Sequence, residues 1–235
     1  MLRKFSSSRS LADNIKLGSL TAFSAGMVNV ASLIVLFAFT SNVTGHFAIL
    51  AEEIARGNWH QALIVFGWIF MFFFGNFTSN NIIINIKHNT YLSHSIPLIL
   101  EIVCLVSVGI YGEYHYRETL TETELLAGVL LFAMGLQNGL TASISNFAVK
   151  TTHLTGLTTD LGIIASMLTH KEFRKNKDLK DKAKLLIFIA VFYLTGGIIS
   201  GCIYLQIGFK VFYMGSFFLI VILFYDYSTQ NEKNK

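Results

Sequence analysis

Apolar residues run through this chain in long blocks, without the spaced stripes of helices that keep one face in water. Six blocks stand out, at residues 20–40, 61–86, 96–112, 125–149, 184–205 and 211–225. About 20 largely apolar residues cross the hydrocarbon core of a bilayer as a helix, and these blocks approach or exceed that length. None shows the strict alternation of a barrel strand, and a segment in lipid must satisfy its own backbone groups, so each predicts a transmembrane α-helix. Two shorter, half-apolar stretches, 46–56 and 157–170, predict short helices that either enter the bilayer part-way or lie on its surface.

One pattern occurs twice along these elements. Gly26-x-x-Asn29 leads to Thr40-x-x-x-Thr44-Gly45, and Gly135-x-x-Asn138 leads to Thr151-x-x-x-Thr155-Gly156. A short helix follows each Thr-Gly, then a long span carrying glycine, Gly75 in one half and Gly196-Gly197 in the other, and then a closing span. With three spans per half, the second half enters the membrane from the opposite side, as transporters and some channels do. The expected fold is therefore all-α and polytopic, with six transmembrane helices and two half-helices in two inverted three-helix repeats. Its divisions are a tail at 1–16, a first repeat at 17–120, a second at 121–228 with a basic connector at 170–184, and a tail at 229–235.

Composition agrees with a lipid solvent: 53% of the 235 residues are hydrophobic and 14% charged, against roughly 25% charged in a soluble domain. The basic residues also set an orientation. With both termini cytoplasmic, all of the 18 lysines and arginines except Arg56, Arg117 and Lys210 fall on the inside. That distribution accounts for the net charge of +4 without nucleic acid as a partner. The basic start is followed by an apolar run longer than a signal-peptide core and without a small-residue cleavage site, so it is expected to remain as the first span. Cys104 and Cys202 lie within spans and indicate no redox compartment.

VTGH at 43–46, MGLQNG at 134–139 and KTTHLTGLTTDLG at 150–162 resemble the YoaK-like family of bacterial inner-membrane proteins of unknown function, and the likeness covers most of the chain. The resemblance implies a multi-pass protein of the cytoplasmic membrane, closer to small transporters than to enzymes. Members of that family commonly carry aspartate where this chain has Asn29. The departure removes a potential proton or cation site from the first span.

Candidate chemistry follows from polar groups at membrane depth. Glu101 lies inside the third span, where a charged carboxylate costs on the order of several kcal/mol unless paired, protonated or wetted. It reads either as a coupling or gating group on a path, or as a neutral carboxyl bonding a neighbouring helix. At each Thr-Gly pair a threonine oxygen can cap the following helix while free N–H groups aim partial positive charge outward. Two such starts can hold an anion between them, with Lys150 and His153 adding positive character, or they can be ordinary interfacial caps. Asn76 with Asn80, Asn81 with Asn85, and Asn138 with Thr141 and Ser145 follow helix faces and read first as interhelical hydrogen bonds. Asn29 and Asn138 are favoured for binding because the repeat matches them. Asp160 either binds a cation or solute amine or favours its helix N-terminus electrostatically. Gly197 and Gly201 read as packing contacts.

No nucleophile with a base, phosphate loop, dinucleotide turn or metal-ligand spacing can be named, so neither an enzyme, a cofactor nor a metal is expected. The leading expectation is a secondary transporter or facilitator of a small polar or anionic solute. Asn29, Thr44, Gly45, Asn138, Thr155 and Gly156 would bind it, with Glu101 and Asp160 in coupling or gating. A passive channel of the same parts is the alternative, as is a scaffold or sensor whose connector binds anionic lipid or a cytoplasmic partner. Membrane lipids are partners in every case, and self-association into a homo-oligomer is compatible with all of them.

Overall fold

A computed structural model describes Leu2, residues 9–86 and residues 89–233. Arg3, Lys4, Lys87 and Lys235, which enter the charge distribution, lie outside the described residues. The chain is all-helical there, without a strand. Eight α-helices follow in order: α1 (Leu11–Leu36), α2 (Val43–Ala55), α3 (Trp59–Asn85), α4 (Thr90–Tyr114), α5 (Leu120–Ile144), α6 (Leu154–Thr169), α7 (Lys177–Ile207) and α8 (Val211–Lys233). Five apolar segments are long enough to cross a membrane: α1, α3, α4, α5 and the run Lys177–Tyr225. That last run is broken by a 3₁₀ turn at Gly208–Lys210, where Gly208 takes φ +56.

The helix limits differ from the hydrophobic blocks because local hydrogen bonds, not hydropathy, set them. α1 starts at Leu11 rather than 20 because Ser10 Oγ accepts from the Asp13 N–H while the Asp13 carboxylate accepts from the Ser10 N–H, a capping box. It stops at Leu36, where Phe37 turns left-handed at φ 53. α5 stops at Ile144 instead of 149, since Asn146 and Phe147 also take positive φ. Asn176 caps α7 by accepting from the Leu179 N–H, so the basic stretch at 170–184 is helical from Lys177 onward and not wholly a linker.

The loops after α1 and α5 fold back along the helices they leave. Asn29 Oδ1 accepts from the Thr40 N–H at 3.0 Å and the Ser41 N–H at 3.1 Å. Asn29 precedes the end of α1 by seven residues, so at ~1.5 Å per residue the chain has returned about 10 Å before α2 begins. In the later loop the Asn138 amide donates to Thr152 Oγ1, ahead of α6. Thirteen residues in α2 and sixteen in α6 reach ~20 and ~24 Å, each short of a ~30 Å hydrocarbon core.

Helix packing occurs in matching pairs. α1 lies mainly against α7, and α3 mainly against α5; α8 covers α1 as α4 covers α5. Both tight pairs rest on glycine. A Cβ on Gly26 would stand 2.0 Å from the Tyr193 carbonyl oxygen, and one on Gly196 2.1 Å from that of Phe23. In the other pair, a Cβ on Gly75 would meet the Phe132 oxygen at 2.2 Å, and one on Gly135 the Phe72 oxygen at 2.3 Å. Backbones approach this closely only where no side chain intervenes. Gly201 sits more loosely, with Val30 Cγ1 3.6 Å from its would-be Cβ, so Gly196 and Gly197 carry the contact expected of Gly197 and Gly201.

α1 and α5 form the buried centre, while α3 turns Leu63, Phe66, Phe70, Phe73, Phe74 and Phe77 outward. A continuous phenylalanine face of this kind would be an aggregation liability in water and is ordinary against lipid.

Candidate functional site

The two folded-back loops converge. One partly open cavity of about 660 Å³ is lined by Asn29, Ser41, Asn42 and Thr44 from the first half and by Asn138, Lys150, Thr152, His153 and Thr155 from the second. Phe72 and Asn76 of α3 and Tyr193 of α7 complete its sides, together with apolar residues that include Phe39 and Phe147. Four of the six residues expected to bind solute, Asn29, Thr44, Asn138 and Thr155, are therefore brought to one wall-to-wall space. The other two are not on it. Gly45 packs against the Asn42 side chain, and Gly156 faces an adjoining cavity of about 570 Å³.

The carboxamide of Asn29 organises the first half. Its oxygen accepts three close hydrogen bonds, from the backbone of Thr40 and Ser41 and from Ser41 Oγ at 2.9 Å. Ser41 Oγ lies 3.2 Å from the Tyr193 hydroxyl, which joins α7 to the loop. His46 Nε2 contacts the Phe39 carbonyl oxygen at 2.7 Å, and the ring stands edge-on to Trp68, which fixes α2 against the same loop and α3. In the second half, Gln137 Nε2 donates to Thr151 Oγ1 at 2.8 Å and to the Thr21 carbonyl at 3.1 Å, so the loop is tied to α1 as well as α5.

The helix starts differ from expectation in one respect: threonine caps neither. Both short helices begin earlier than the predicted 46 and 157, which places Thr44-Gly45 and Thr155-Gly156 in the first helical turn. Asn42 caps α2, accepting from the Gly45 N–H at 3.1 Å. His153 occupies the cap position of α6 without a side-chain hydrogen bond. Threonine one or two residues inside a helix cannot reach back to the donors it would cap, whereas Asn42, three residues before Gly45, has the spacing required.

Glu101 is fully buried on α4 and lines neither cavity; neither carboxyl oxygen has a hydrogen-bond partner among the described residues. It is thus not placed as interhelical glue. Asp160 faces the adjoining cavity and pairs with Lys182 at 2.8 Å, linking α6 to α7. With both side chains about half exposed, that pair contributes little to stability. Among the asparagine sets, Ser143 Oγ donates to Asn80 across α3 and α5 at 2.9 Å, Asn81 and Asn85 bond each other, and Asn76 bonds its own helix and faces the cavity.

Tyr193, Phe72, Ser41 and Asn42 were not singled out by sequence. A signal for the first two exists: each lies three residues before the close-packed glycine of its span, Gly196 and Gly75. Extending the repeat upstream of those glycines would have paired them.

These features define a class, an all-helical protein with several membrane-length apolar segments and a polar cavity lined from two folded-back loops. The chain belongs to the DUF1275 family, a protein family of unknown function, whose profile matches residues 17–225 and so takes in both copies of the motif. No curated protein and no solved structure matches it.

Proposed function

We propose that this protein is a secondary carrier or facilitator for a small polar solute, with the central cavity as its binding site. The observation that carries the reading is that Asn29 and Thr44 from one copy of the motif and Asn138 and Thr155 from the other line the same space. In this reading the 3₁₀ turn at Gly208–Lys210 separates a fifth from a sixth span. The matched pairs α1 with α7 and α5 with α3 are then the same contact in two inverted three-helix repeats. α2 and α6 are half-helices entering from opposite leaflets, and alternating access is the group α1, α7 and α8 rocking against α3, α4 and α5, which leaves both close glycine contacts intact. The charge distribution favours cytoplasmic termini, and the VTGH and KTTHLTGLTTDLG segments favour a YoaK-like member of the bacterial inner membrane. Solute and lipid are its partners; no bond-making chemistry is part of the reading.

Glu101 is assigned to coupling. A carboxyl with no bonded partner among the described residues of a packed core is costly to charge, and such a cost is retained where protonation is used. The experiment is uptake into proteoliposomes across a panel of small solutes and a range of external pH. Saturable, pH-dependent uptake is expected, with the pH dependence flattened in Glu101→Gln. Uptake that stays linear with concentration would make the protein a channel. Absence of flux, with function lost instead on deleting the basic connector, would make it a scaffold. A pH response identical in Glu101→Gln would remove Glu101 from the mechanism.

A further inference from the structure

The central cavity is large and its walls carry rings. At about 660 Å³ it falls within the ~300–1,000 Å³ of sites that enclose organic molecules of many heavy atoms, so a lone ion or a two-carbon solute would leave most of it to water. Four aromatic side chains line it from four elements: Phe39 from the loop after α1, Phe72 from α3, Phe147 from the loop after α5 and Tyr193 from α7. Phe72 and Tyr193 hold matching places, three residues before Gly75 and Gly196, so each half supplies one ring of that pair. None of the four stacks on another ring among the described residues, whereas on the outward face of α3 Phe70 stacks on Phe74 and Phe73 on Phe77. Unmatched ring faces around one space suit a flat aromatic body, which gains contact with each of them.

The polar groups left open on the same walls are neutral and of both kinds. Asn29, Ser41 and Tyr193 hydrogen-bond one another and are occupied in holding the loop. Asn76 Nδ2 donates to the Phe72 carbonyl, which can only accept, so the amide is fixed with Oδ1 as its open end. Asn42 is fixed the other way, because its oxygen takes the Gly45 N–H and leaves Nδ2. The Thr44 and Thr155 hydroxyls, which serve as donor or acceptor, make no hydrogen bond to the described residues. No described lining residue is aspartate or glutamate, so nothing there balances the charge of an aromatic amine. The basic groups Lys150 and His153 also line the adjoining cavity, where Asp160 and Asp181 supply the opposite charge. One fixed acceptor, one fixed donor and two hydroxyls match a neutral edge that itself carries N–H and C=O groups.

Resting on the transport reading above, we infer that the solute is a neutral planar aromatic compound, a heterocycle or a ring-borne amide whose edge both donates and accepts hydrogen bonds. Its ring lies among Phe39, Phe72, Phe147 and Tyr193, and its edge meets Asn76 Oδ1, Asn42 Nδ2 and the threonine hydroxyls.

The test uses the purified full chain, with thermal stabilisation in neutral detergent reporting binding. The planar probes are benzamide, nicotinamide, uracil and hypoxanthine. Cyclohexanecarboxamide keeps the amide without the aromatic ring, benzoate keeps the ring with a charge, and glycerol has neither. Flux is read as uptake of labelled uracil and hypoxanthine over protein-free liposomes. At least one planar probe is expected to stabilise the protein ahead of all three controls, and uracil or hypoxanthine to be taken up. Apparent affinity should fall about three- to tenfold in Phe72→Leu, by loss of a ring contact, and recover in Phe72→Tyr. Asn76→Ala, which removes the fixed acceptor and leaves the rings, should weaken binding by a similar factor and serves as the second variant if Phe72→Leu does not fold. Stabilisation by a planar probe that depends on Phe72 or Asn76, without flux, would uphold the site and sink the transport reading. Saturable uptake of glycerol, uncompeted by the planar probes, would overturn the aromatic solute and leave transport standing. Benzoate or cyclohexanecarboxamide matching benzamide, affinities unchanged in both Phe72→Leu and Asn76→Ala, or no response to any planar probe would each overturn the inference as well.

Discussion

Asn29→Leu is expected to destabilise the protein by several kcal/mol and to abolish uptake, whereas Asn29→Asp should fold and yet transport poorly. The leucine removes the acceptor for the Thr40 and Ser41 N–H groups and for Ser41 Oγ, leaving buried donors unpaired at about 1–3 kcal/mol each. The loop's other contacts, Ser32 with Thr40, Ser41 with Tyr193 and His46 with the Phe39 carbonyl, remain but give those N–H groups no acceptor, so the start of α2 is loosened. Aspartate keeps two acceptor oxygens for the same donors, strengthened by charge. It replaces the donor Nδ2 with an acceptor, however, and puts a carboxylate on a wall that has none. Asn138→Leu should be milder, because Asn138 holds a threonine hydroxyl and no backbone N–H. Thermal unfolding in detergent, read beside uptake, separates the cases. Equal destabilisation by Asn29→Leu and Asn29→Asp would mean that the oxygen does not hold the loop.

Gly75→Ala is expected to weaken the protein by about 1–3 kcal/mol, although alanine is the better helix former. Its new Cβ would lie 2.2 Å from a carbonyl oxygen and 2.9 Å from the Leu136 nitrogen, both backbone atoms that cannot rotate away, so α3 and α5 must separate. Gly67→Ala in the same helix is the matched control. No described residue lies within 4 Å of that Cβ, so the propensity gain of about 1 kcal/mol should appear without a penalty. Gly26→Ala should repeat the Gly75 result in the α1 and α7 pair. Equal thermal stabilities for Gly75→Ala and Gly67→Ala would contradict the close approach.

Much of this architecture was legible as pattern. Apolar blocks locate helices in lipid because nothing else satisfies the backbone there, and the repeated Gly-x-x-Asn marked both the tight contact and the loop anchor. Depth was not legible. Whether α2 and α6 start at the surface or deep in the chain's core turns on single hydrogen bonds, from Thr40 and Ser41 to Asn29 and from Asn138 to Thr152. Asn29 and Ser41 are twelve residues apart, and hydropathy carries no trace of their contact. Helix ends were displaced for a similar reason, since Ser10, Asn176 and the left-handed Phe37 act locally and polar residues extend helices beyond their apolar blocks. Thr44 and Thr155 were found as a pair and expected to bind solute, with capping as the other reading; the cap on α2 belongs to Asn42, and both threonines line the cavity. Asp160 had no counterpart in the first copy, and the ion pair with Lys182 is a contact that only the second copy makes.

The most direct test joins the two half-helix starts. In a background with Cys104 and Cys202 replaced by serine, Thr44→Cys and Thr155→Cys are introduced together and treated in membranes with a short bis-maleimide. Mass spectrometry then reads whether the linker lies within one chain. A high yield of intramolecular linkage between residues 44 and 155, absent when Gly57→Cys at the far end of α2 replaces Thr44→Cys, is the expected result. Linkage no better at 44 than at 57, or formed only between separate molecules, would contradict a shared cavity and the transport reading built on it.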